Sequence, residues 1–530
     1  MRTKLMMMIS KTFIHFIIIT VIMNGCSTDS KNDSKGHTVS AYIVGQPTFP
    51  AGRGNKNERI MLINLKTEYE SIPGVANAIS ITLGDTKLSI IEKVKIFYSK
   101  GEKNLDINNL FGTAVPNSGT ITITGQQQLK PGHNYFWVTY DITQVAKEGD
   151  TIDATCESIT VNDNSHAMEY TEFPGSREIL LANKVLYSGG DYGSGNYRIP
   201  AICTGLDGTL ITAADRRIDP RDLPGNIDII IRRSTDNGDT WSEPVIAADF
   251  GGNGASDPAL VVDRTTGNII LMFASHNGLF ASTPSNKIRF NVSRSMDNGL
   301  TWSKPKDLSD QIYSSWHAAW VASGSAHQLR SGRIVAVVGV RPDAGRTLTN
   351  HMIYSDDGGE SWKFSQGSPN PSGGGDESKI IELDNGNLLM NIRSSGGYRK
   401  TSISTDGGES WSPSQVENQL IDPRVNADLI RYTSTLDGFD KSRLLFSNPR
   451  DPSQRRNLHV YLSTDEGVTW PTDYSKQIYE GLSGYSSLTI LKDGTIGLFY
   501  ENGENELYQL YFTRFSLNWL TGGKDTYQPQ

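Results

Sequence analysis

An eight-residue pattern that repeats five times constrains the fold of this chain more than any other feature. The pattern is Ser-x-Asp-x-Gly-x-Ser/Thr-Trp, and successive copies start 61, 60, 49 and 59 residues apart. Such a regular spacing predicts that the chain repeats one supersecondary unit instead of building a single irregular core. The five copies occupy residues 234–241, 295–302, 355–362, 404–411 and 463–470.

A second signal lies between these octets, where a glycine turn is followed by a short apolar strand, as at Asn385-Gly386-Asn387-Leu388-Leu389. Each unit of roughly 50–60 residues therefore contains several short strands, which is the content of one propeller blade. We predict an all-β fold with a six-bladed β-propeller over residues 181–530. A strand near residues 511–519 is expected to close the ring.

The octet itself is interpreted as a structural turn. Its Asp can accept hydrogen bonds from nearby backbone N–H groups, its Gly allows a positive φ, and its Trp anchors the hairpin. The alternative, that these aspartates are metal ligands or catalytic acids, is rejected because equivalent positions on successive blades cannot converge on one site.

The N-terminus has the pattern of an export signal. A basic start precedes an apolar run over residues 13–23, which is too short to span a membrane and is typical of a signal peptide. Met23-Asn24-Gly25-Cys26 resembles a bacterial lipoprotein cleavage site, so residues 1–26 are predicted to be a lipoprotein-type signal and 27–37 a polar linker. Ordinary cleavage nearby is the alternative. The expected location is the periplasm or the outer membrane and cell surface, with contact to a membrane only through lipid on Cys26.

Residues 38–180 lack the octet and contain alternating apolar segments, for example 134–142, which predict half-buried strands. We interpret this region as a β-sandwich, either a carbohydrate-binding module or a spacer. Besides Cys26 the chain has only Cys156 and Cys203, which fall in different predicted domains, so no disulfide framework is expected.

Charge excludes one class of partner and indicates a pocket. The net charge of −8 argues against nucleic acid as a partner, although a local arginine cluster can still bind a small anion. In three units the residue seven positions after the turn glycine is charged: Asp215, Arg393 and Glu501. Because inner strands of a propeller end at its central channel, these positions predict a polar pocket there.

The segment Asn196-Tyr197-Arg198-Ile199-Pro200 resembles the Arg-Ile-Pro motif that opens the propeller of exo-sialidases, and the octets resemble their Asp-boxes. Together these motifs resemble the bacterial exo-sialidase (neuraminidase) family across about 330 residues. The resemblance implies hydrolysis of terminal sialic acids from sialylated glycans. It implies neither a metal nor an organic cofactor.

The resemblance also implies a set of substrate-binding arginines. Arg198, Arg393 and Arg455 match the three arginines that grip the substrate carboxylate, a planar anion that suits fork-shaped donors. Arg456 is the alternative to Arg455. Glu501 matches the acid that holds the first arginine, and a surface salt bridge is its alternative role.

Tyr485 matches the family nucleophile and Glu377 its partner base. A neutral phenol can approach an anionic substrate better than a carboxylate can, but its pKa of about 10 requires an adjacent base. Asp222 is expected to protonate the leaving group, with Asp219 and Asp228 as competitors.

Arg217 and Asp257 resemble residues near the sugar 4-hydroxyl, and both could equally form structural ion pairs. Three other functions stay open at this point. They are a sialic acid lectin, a trans-sialidase and a propeller scaffold without a reaction.

Overall fold

In the computed structural model of the chain, the described residues are 39–67, 74–169, 175–503 and 509–529. They form 37 strands and two one-turn α-helices, Ser309–Ile312 and Leu517–Leu520. The all-β class is therefore confirmed. The predicted signal segment, the linker and Cys26 lie outside the described residues. Within the described ranges, helices that combine the length and the apolar character needed to cross a membrane are absent.

Twelve strands and a 3-10 helix at Leu88–Ile90 make up the N-terminal region. In chain order, β1 to β12 are Val39–Gly45, Ala51–Gly52, Glu58–Thr67, Val75–Thr82, Ile91–Tyr98, Leu110–Ala114, Thr120–Gln128, Gly132–Ile142, Thr151–Ile152, Thr155–Val161, Asn164–Ala167 and Arg177–Leu180.

Two antiparallel sheets of this region enclose one core, which is the arrangement of a β-sandwich. A five-stranded sheet has the order β1-β3-β8-β5-β6 and a four-stranded sheet the order β11-β10-β4-β7. Buried residues of both sheets, such as Ile63 in β3 and Ile79 in β4, belong to one hydrophobic cluster. Cys156 lies in this region and Cys203 in the propeller; both are buried free thiols, as expected.

The C-terminal region contains the other strands. In chain order, β13 to β37 are Ala182–Tyr187, Asn196–Thr204, Leu210–Arg217, Ile227–Ser234, Val245–Ala248, Ala255–Val262, Ile269–His276, Ile288–Ser295, Lys306–Asp307, Ala318–Val321, Gly324–Ser325, His327–Gln328, Ile334–Arg341, Thr349–Ser355, Lys363–Phe364, Ser378–Glu382, Leu388–Ile392, Tyr398–Ser404, Gln415–Ile421, Asp428–Thr433, Arg443–Pro449, Arg456–Ser463, Ser475–Ile490, Ile496–Asn502 and Gln509–Phe515.

These strands form five sheets, four of which hold four or five strands each. The fifth has seven strands in the order β13-β37-β36-β35-β34-β33-β32. Its long strand β35 pairs with β34 through its first part and with β36 through its second. Counting β35 in both parts divides this sheet into two four-stranded units. The number of six blades depends on that division and stays a prediction.

Neighbouring sheets pack face to face, which explains why strands such as β15 are buried on both sides. One hydrophobic cluster, for example, joins Ile229 of β16 to Phe273 of β19 in the next sheet. The ring closes where β13 pairs antiparallel with β37. The closing strand ends at Phe515, however, so the strand expected over residues 511–519 is too long. Trp519 belongs instead to the helix Leu517–Leu520, whose N-terminus is capped by the Ser516 hydroxyl.

The octets form the predicted turns. In the first copy the Asp236 carboxylate accepts hydrogen bonds from the Ser234 hydroxyl at 2.7 Å and from the Thr240 amide at 2.9 Å. The equivalent Asp-to-amide bond measures 2.9 Å in the other four copies as well. Gly238 has a φ of 88°, and a Cβ there would lie 2.0 Å from the Phe512 ring, so both conformation and packing require glycine.

Candidate active site

A pocket of about 570 Å³ opens where the inner strands of the propeller meet. It brings together residues far apart in the sequence, which is typical of a ligand site in this fold. Its lining consists of Arg198, Ile199, Asp222, Leu223, Ser256, Asp257, Leu279, Phe280, Ile288, Trp320, Arg346, Leu348, Asp376, Glu377, Arg393, Arg424, Arg455 and Tyr485.

Irregularities in three inner strands shape this pocket. The pairing register shifts between Arg198 and Ala201 in β14, between Ser256 and Ala259 in β18, and between Ser483 and Ser486 in β35. Within the first two, Ile199 has a φ of 58° and Asp257 a φ of 61°. A left-handed backbone is costly for a β-branched residue, so these bulges are features that the surrounding fold imposes where side chains enter the site.

The centre of the pocket is a hydrogen-bonded group of three side chains. The Tyr485 hydroxyl donates to Glu377 Oε2 at 2.7 Å and accepts a hydrogen bond from Arg393 Nη1 at 2.9 Å. Arg393 also donates to the same Glu377 oxygen. Tyr485 and Glu377 are 8% and 4% exposed, so the phenol and the carboxylate are both largely shielded from solvent.

The pKa of Tyr485 reflects two opposing influences. Burial raises the pKa above its ordinary value, and the neighbouring Glu377 carboxylate raises it further. The guanidinium groups of Arg393, Arg455 and Arg198 lower it, with carbon Cζ of each lying 5.4–5.9 Å from the centre of the phenol ring. The net rise means that the resting phenol is protonated, and that the arginines favour the phenolate once its proton leaves.

Glu501 fixes both Arg198 and the strand that carries Tyr485. Its carboxylate is fully buried and accepts hydrogen bonds from Arg198 Nε at 3.0 Å and Nη2 at 3.1 Å. It also accepts from the backbone amides of Ile199 at 3.0 Å and Tyr485 at 2.9 Å. One carboxylate thus joins the first arginine to the tyrosine through four hydrogen bonds.

Of the two candidates for the third arginine, the structure brings Arg455 into the pocket lining. Arg456 is directed elsewhere, because its Nε donates to Asp451 at 2.8 Å and its side chain is 53% exposed. The Arg455 guanidinium faces the Tyr485 ring.

Three aspartates compete for the position of the acid, and their contacts differ. Asp222 lines the pocket, and its carboxylate, 83% exposed, accepts a hydrogen bond from Arg217 at 2.8 Å. Asp219 forms an ion pair with Arg221. Asp228 accepts from Arg216 Nε at 3.1 Å. Asp222 is therefore the one of the three that the structure brings to the pocket.

Arg217 lies behind Asp222 rather than in the lining. It is 3% exposed and donates to the buried Asp215 carboxylate from Nε at 3.2 Å and Nη2 at 2.9 Å. It is not among the residues that line the pocket, and its contact with substrate stays a prediction. Asp257 does line the pocket, and its backbone amide donates to Asp215 at 3.1 Å. Burial raises the pKa of Asp257 well above its ordinary value, and the nearby Asp215 and Glu377 carboxylates add to the rise.

Sequence reasoning missed several lining residues. Asp376 lies 3.6 Å from both Arg393 Nε and Arg424 Nη2, and burial raises its pKa. Phe280 is 44% exposed and stacks against Arg346, whose Cζ is 3.9 Å from the ring centre. Asp376 directly precedes Glu377, so adjacency could have suggested it. Phe280, Arg346 and Arg424 lie in loops without a repeated pattern, and no sequence signal singles them out.

Comparisons with known proteins agree with this architecture. A family model described as "BNR repeat-like domain" matches residues 221–498, more than half of the chain. A second, described as "N-terminal domain of BNR-repeat neuraminidase", matches residues 40–165.

Individual relatives cover much of the chain. A sialidase of Micromonospora viridifaciens is 36% identical over 378 residues, which are 66% of this chain and 56% of that protein. The chain thus spans little more than half the length of this relative. A sialidase of Bacteroides fragilis is 28% identical over 476 residues, 80% of this chain and 86% of the relative. The solved structure of the Hadza microbial sialidase Hz136 is 27% identical with a TM-score of 0.71, covering 89% of this chain and 98% of that one.

A β-propeller whose pocket is lined by an aspartate and by a hydrogen-bonded tyrosine–glutamate pair has the acid, the nucleophile and the base that a glycoside hydrolase needs. The likeness to the solved sialidase confirms the propeller class of the fold. The chain belongs to the bacterial BNR-repeat sialidase (neuraminidase) family, and it is an enzyme of the exo-α-sialidase class.

Proposed function

We propose that this protein hydrolyses terminal α-ketosidically linked sialic acids of glycoproteins, glycolipids and oligosaccharides, with retention, through a tyrosyl-enzyme intermediate. The observation that carries the proposal is the 2.7 Å hydrogen bond from the Tyr485 hydroxyl to Glu377 in a pocket lined by Arg198, Arg393 and Arg455. It couples a nucleophile to a base beside a strongly cationic surface.

Binding begins with the substrate carboxylate. Sialic acid carries this anion on the carbon that reacts, and guanidinium groups bind such a planar anion in a fork geometry. Arg198 is held by Glu501 and Arg393 by Glu377, so two of the three donors are oriented before substrate arrives. Arg455 completes the set.

In the first step Tyr485 Oη attacks the anomeric carbon while the bond from that carbon to the leaving oxygen breaks. Asp222 donates a proton to the leaving oxygen, and Glu377 accepts the phenol proton. The charge that develops on Tyr485 is disfavoured by burial and stabilised by the three arginines, so the attack is favourable only while they surround it.

In the second step water attacks the same carbon and the bond to Tyr485 breaks. The Asp222 carboxylate takes the proton from water, and Glu377 returns its proton to the phenolate. Two successive displacements at one carbon leave the configuration unchanged, which is the expected outcome of a covalent mechanism.

The test follows the first product of an aryl α-sialoside by proton NMR, for wild type and Tyr485→Phe. Wild type is expected to release α-sialic acid, which then mutarotates, and the variant is expected to lose at least about 10³-fold in kcat. Tyr461→Phe is the matched control, because Tyr461 is a buried tyrosine on β34 outside the pocket whose hydroxyl has no hydrogen-bond partner among the described residues.

Release of β-sialic acid first, or wild-type turnover by Tyr485→Phe, would contradict the mechanism. Binding of sialic acid by wild type without any turnover would make the protein a lectin.

A further inference from the structure

A chain of buried polar side chains runs from Glu377 away from the pocket. The Ser323 hydroxyl donates to Glu377 Oε1 at 3.3 Å, and Asn426 Nδ2 donates to the Ser323 hydroxyl at 3.0 Å. Lys379 ends the chain, because its ammonium donates to Asn426 Oδ1 at 3.3 Å and to the Ser323 carbonyl. These side chains are 4% exposed or less, and Ser323, Asn426 and Lys379 are absent from the pocket lining.

Lys379 is unusual because a lysine is rarely buried without a carboxylate in hydrogen-bond contact. Its hydrogen-bond partners given above are neutral, an arrangement that is costly for a buried charge. Burial lowers the pKa of Lys379, whereas the Asp428 and Glu377 carboxylates raise it. The attraction is mutual, so the ammonium is part of the electrostatic environment of the Glu377 carboxylate.

The two Glu377 oxygens have different partners. Oε2 receives the hydrogen bonds from Tyr485 and Arg393, and Oε1 receives the one from Ser323. The Ser323 contact therefore fixes the rotation of the carboxylate and directs Oε2 at the phenol.

We propose that Lys379, acting through Ser323 and Asn426, is a positioning residue for Glu377 that holds its carboxylate toward Tyr485. The inference rests on the proposed function, in which Glu377 is the base. It explains why a lysine lies inside the propeller, where a strand pattern predicts an apolar residue.

Other charges contribute to the same environment. Arg393 and Arg399 are buried cations that interact with Glu377, and the Asp376 and Asp257 carboxylates interact with it as like charges. Beyond Lys379, the Asp428 carboxylate attracts the ammonium, and burial lowers the pKa of His327 to about 4, which keeps that ring neutral near pH 7. Both arginines stay charged over the working pH range, so Lys379 can be removed without changing the other cations.

The test is the pH dependence of kcat/KM on an aryl sialoside for wild type, Lys379→Met and Ser323→Ala. Lys379→Met removes a positive charge that interacts with the Glu377 carboxylate, so the acidic limb of the pH profile should move to higher pH by roughly one unit. The plateau should fall about tenfold, mainly in kcat, because substrate contacts are intact. Ser323→Ala should move the limb in the same direction by less.

Ser293→Ala is the matched control, since this buried serine on β20 loses one hydrogen bond, to the Ser303 carbonyl, and lies outside the pocket lining. The acidic limb of the pH profile of Ser293→Ala should stay at the wild-type position. If Lys379→Met does not fold, Ser323→Ala decides the question.

Folded Lys379→Met or Ser323→Ala with the wild-type limb and plateau would overturn the inference. Glu377→Gln, measured in parallel, separates the two proposals. An active Glu377→Gln removes the base assignment and the proposed mechanism with it. An inactive Glu377→Gln, together with an acidic limb that does not move in Lys379→Met, overturns only the role of Lys379.

Discussion

Replacing Glu501 with glutamine tests how the site is held together. Glu501 Oε1 accepts from Arg198 Nε and the Ile199 amide, and Oε2 accepts from Arg198 Nη2 and the Tyr485 amide, all at 2.9–3.1 Å. Glutamine has nearly the same volume but carries an NH₂ group on one side. In either orientation of the amide, its NH₂ group replaces an oxygen that accepted two hydrogen bonds, so those two bonds are lost.

The magnitude follows from these contacts. A hydrogen bond to a charged group contributes about 1.5–3 kcal/mol, so losing two predicts a fall of about 3–6 kcal/mol in the free energy of unfolding. Breaking one side of a buried ion pair costs a similar amount, about 3–5 kcal/mol. Arg198 also loses its orientation, and kcat/KM should fall about 10- to 100-fold, mainly through KM.

The assay combines urea unfolding, followed by tryptophan fluorescence, with steady-state kinetics on an aryl sialoside. Glu480→Gln is the control, because Glu480 is an exposed residue of the same strand, β35, and a surface change is expected to stay within about 0.5 kcal/mol. A Glu501→Gln protein that loses less than about 1 kcal/mol and keeps the wild-type KM would refute the reasoning.

Three further predictions concern single residues. Asp222→Asn should lower kcat/KM on a sialyl-oligosaccharide by about 10²–10⁴-fold but far less on an aryl sialoside, whose leaving group needs no proton, whereas Asp219→Asn should resemble wild type in both assays. Arg455→Lys should raise KM about tenfold through loss of the fork geometry, and an equal rise in Arg456→Lys would contradict the choice between them. Burial raises the folded-state pKa of Asp257, so wild type should lose stability relative to Asp257→Asn as the pH rises above about 4; a Tm difference that is constant from pH 4 to 8 would contradict this.

Much of the fold could be predicted because its repeating signal is local. Each octet closes its own turn, as the bond from the Thr240 amide to Asp236 illustrates, so five copies in sequence reveal five similar turns in space. The end of the last strand could not be placed in this way. A serine cap and packing at Trp519, which depends on the neighbouring strands, turn that segment into a helix.

The site could be predicted where a motif or a turn register marks a residue, and the structure gathers Arg198, Arg393 and Tyr485 around one pocket. The motif could not show that Arg217 lies behind Asp222. The burial of Lys379 could not be predicted either, because a lysine within a strand is usually interpreted as solvent-exposed. Only the packed propeller shows that its side chain is buried. Such relations depend on tertiary contacts that a single sequence does not encode locally.

The most direct test of the central claim, attack by Tyr485, is mass spectrometry of the enzyme treated with a 3-fluorosialyl fluoride. The fluorine next to the reacting carbon slows breakdown of the intermediate, so a covalent adduct should accumulate. After peptic digestion we expect one fluorosialyl group, on the peptide that contains Tyr485, and no adduct in Tyr485→Phe. An adduct on another residue, or an equal adduct in Tyr485→Phe, would contradict the account.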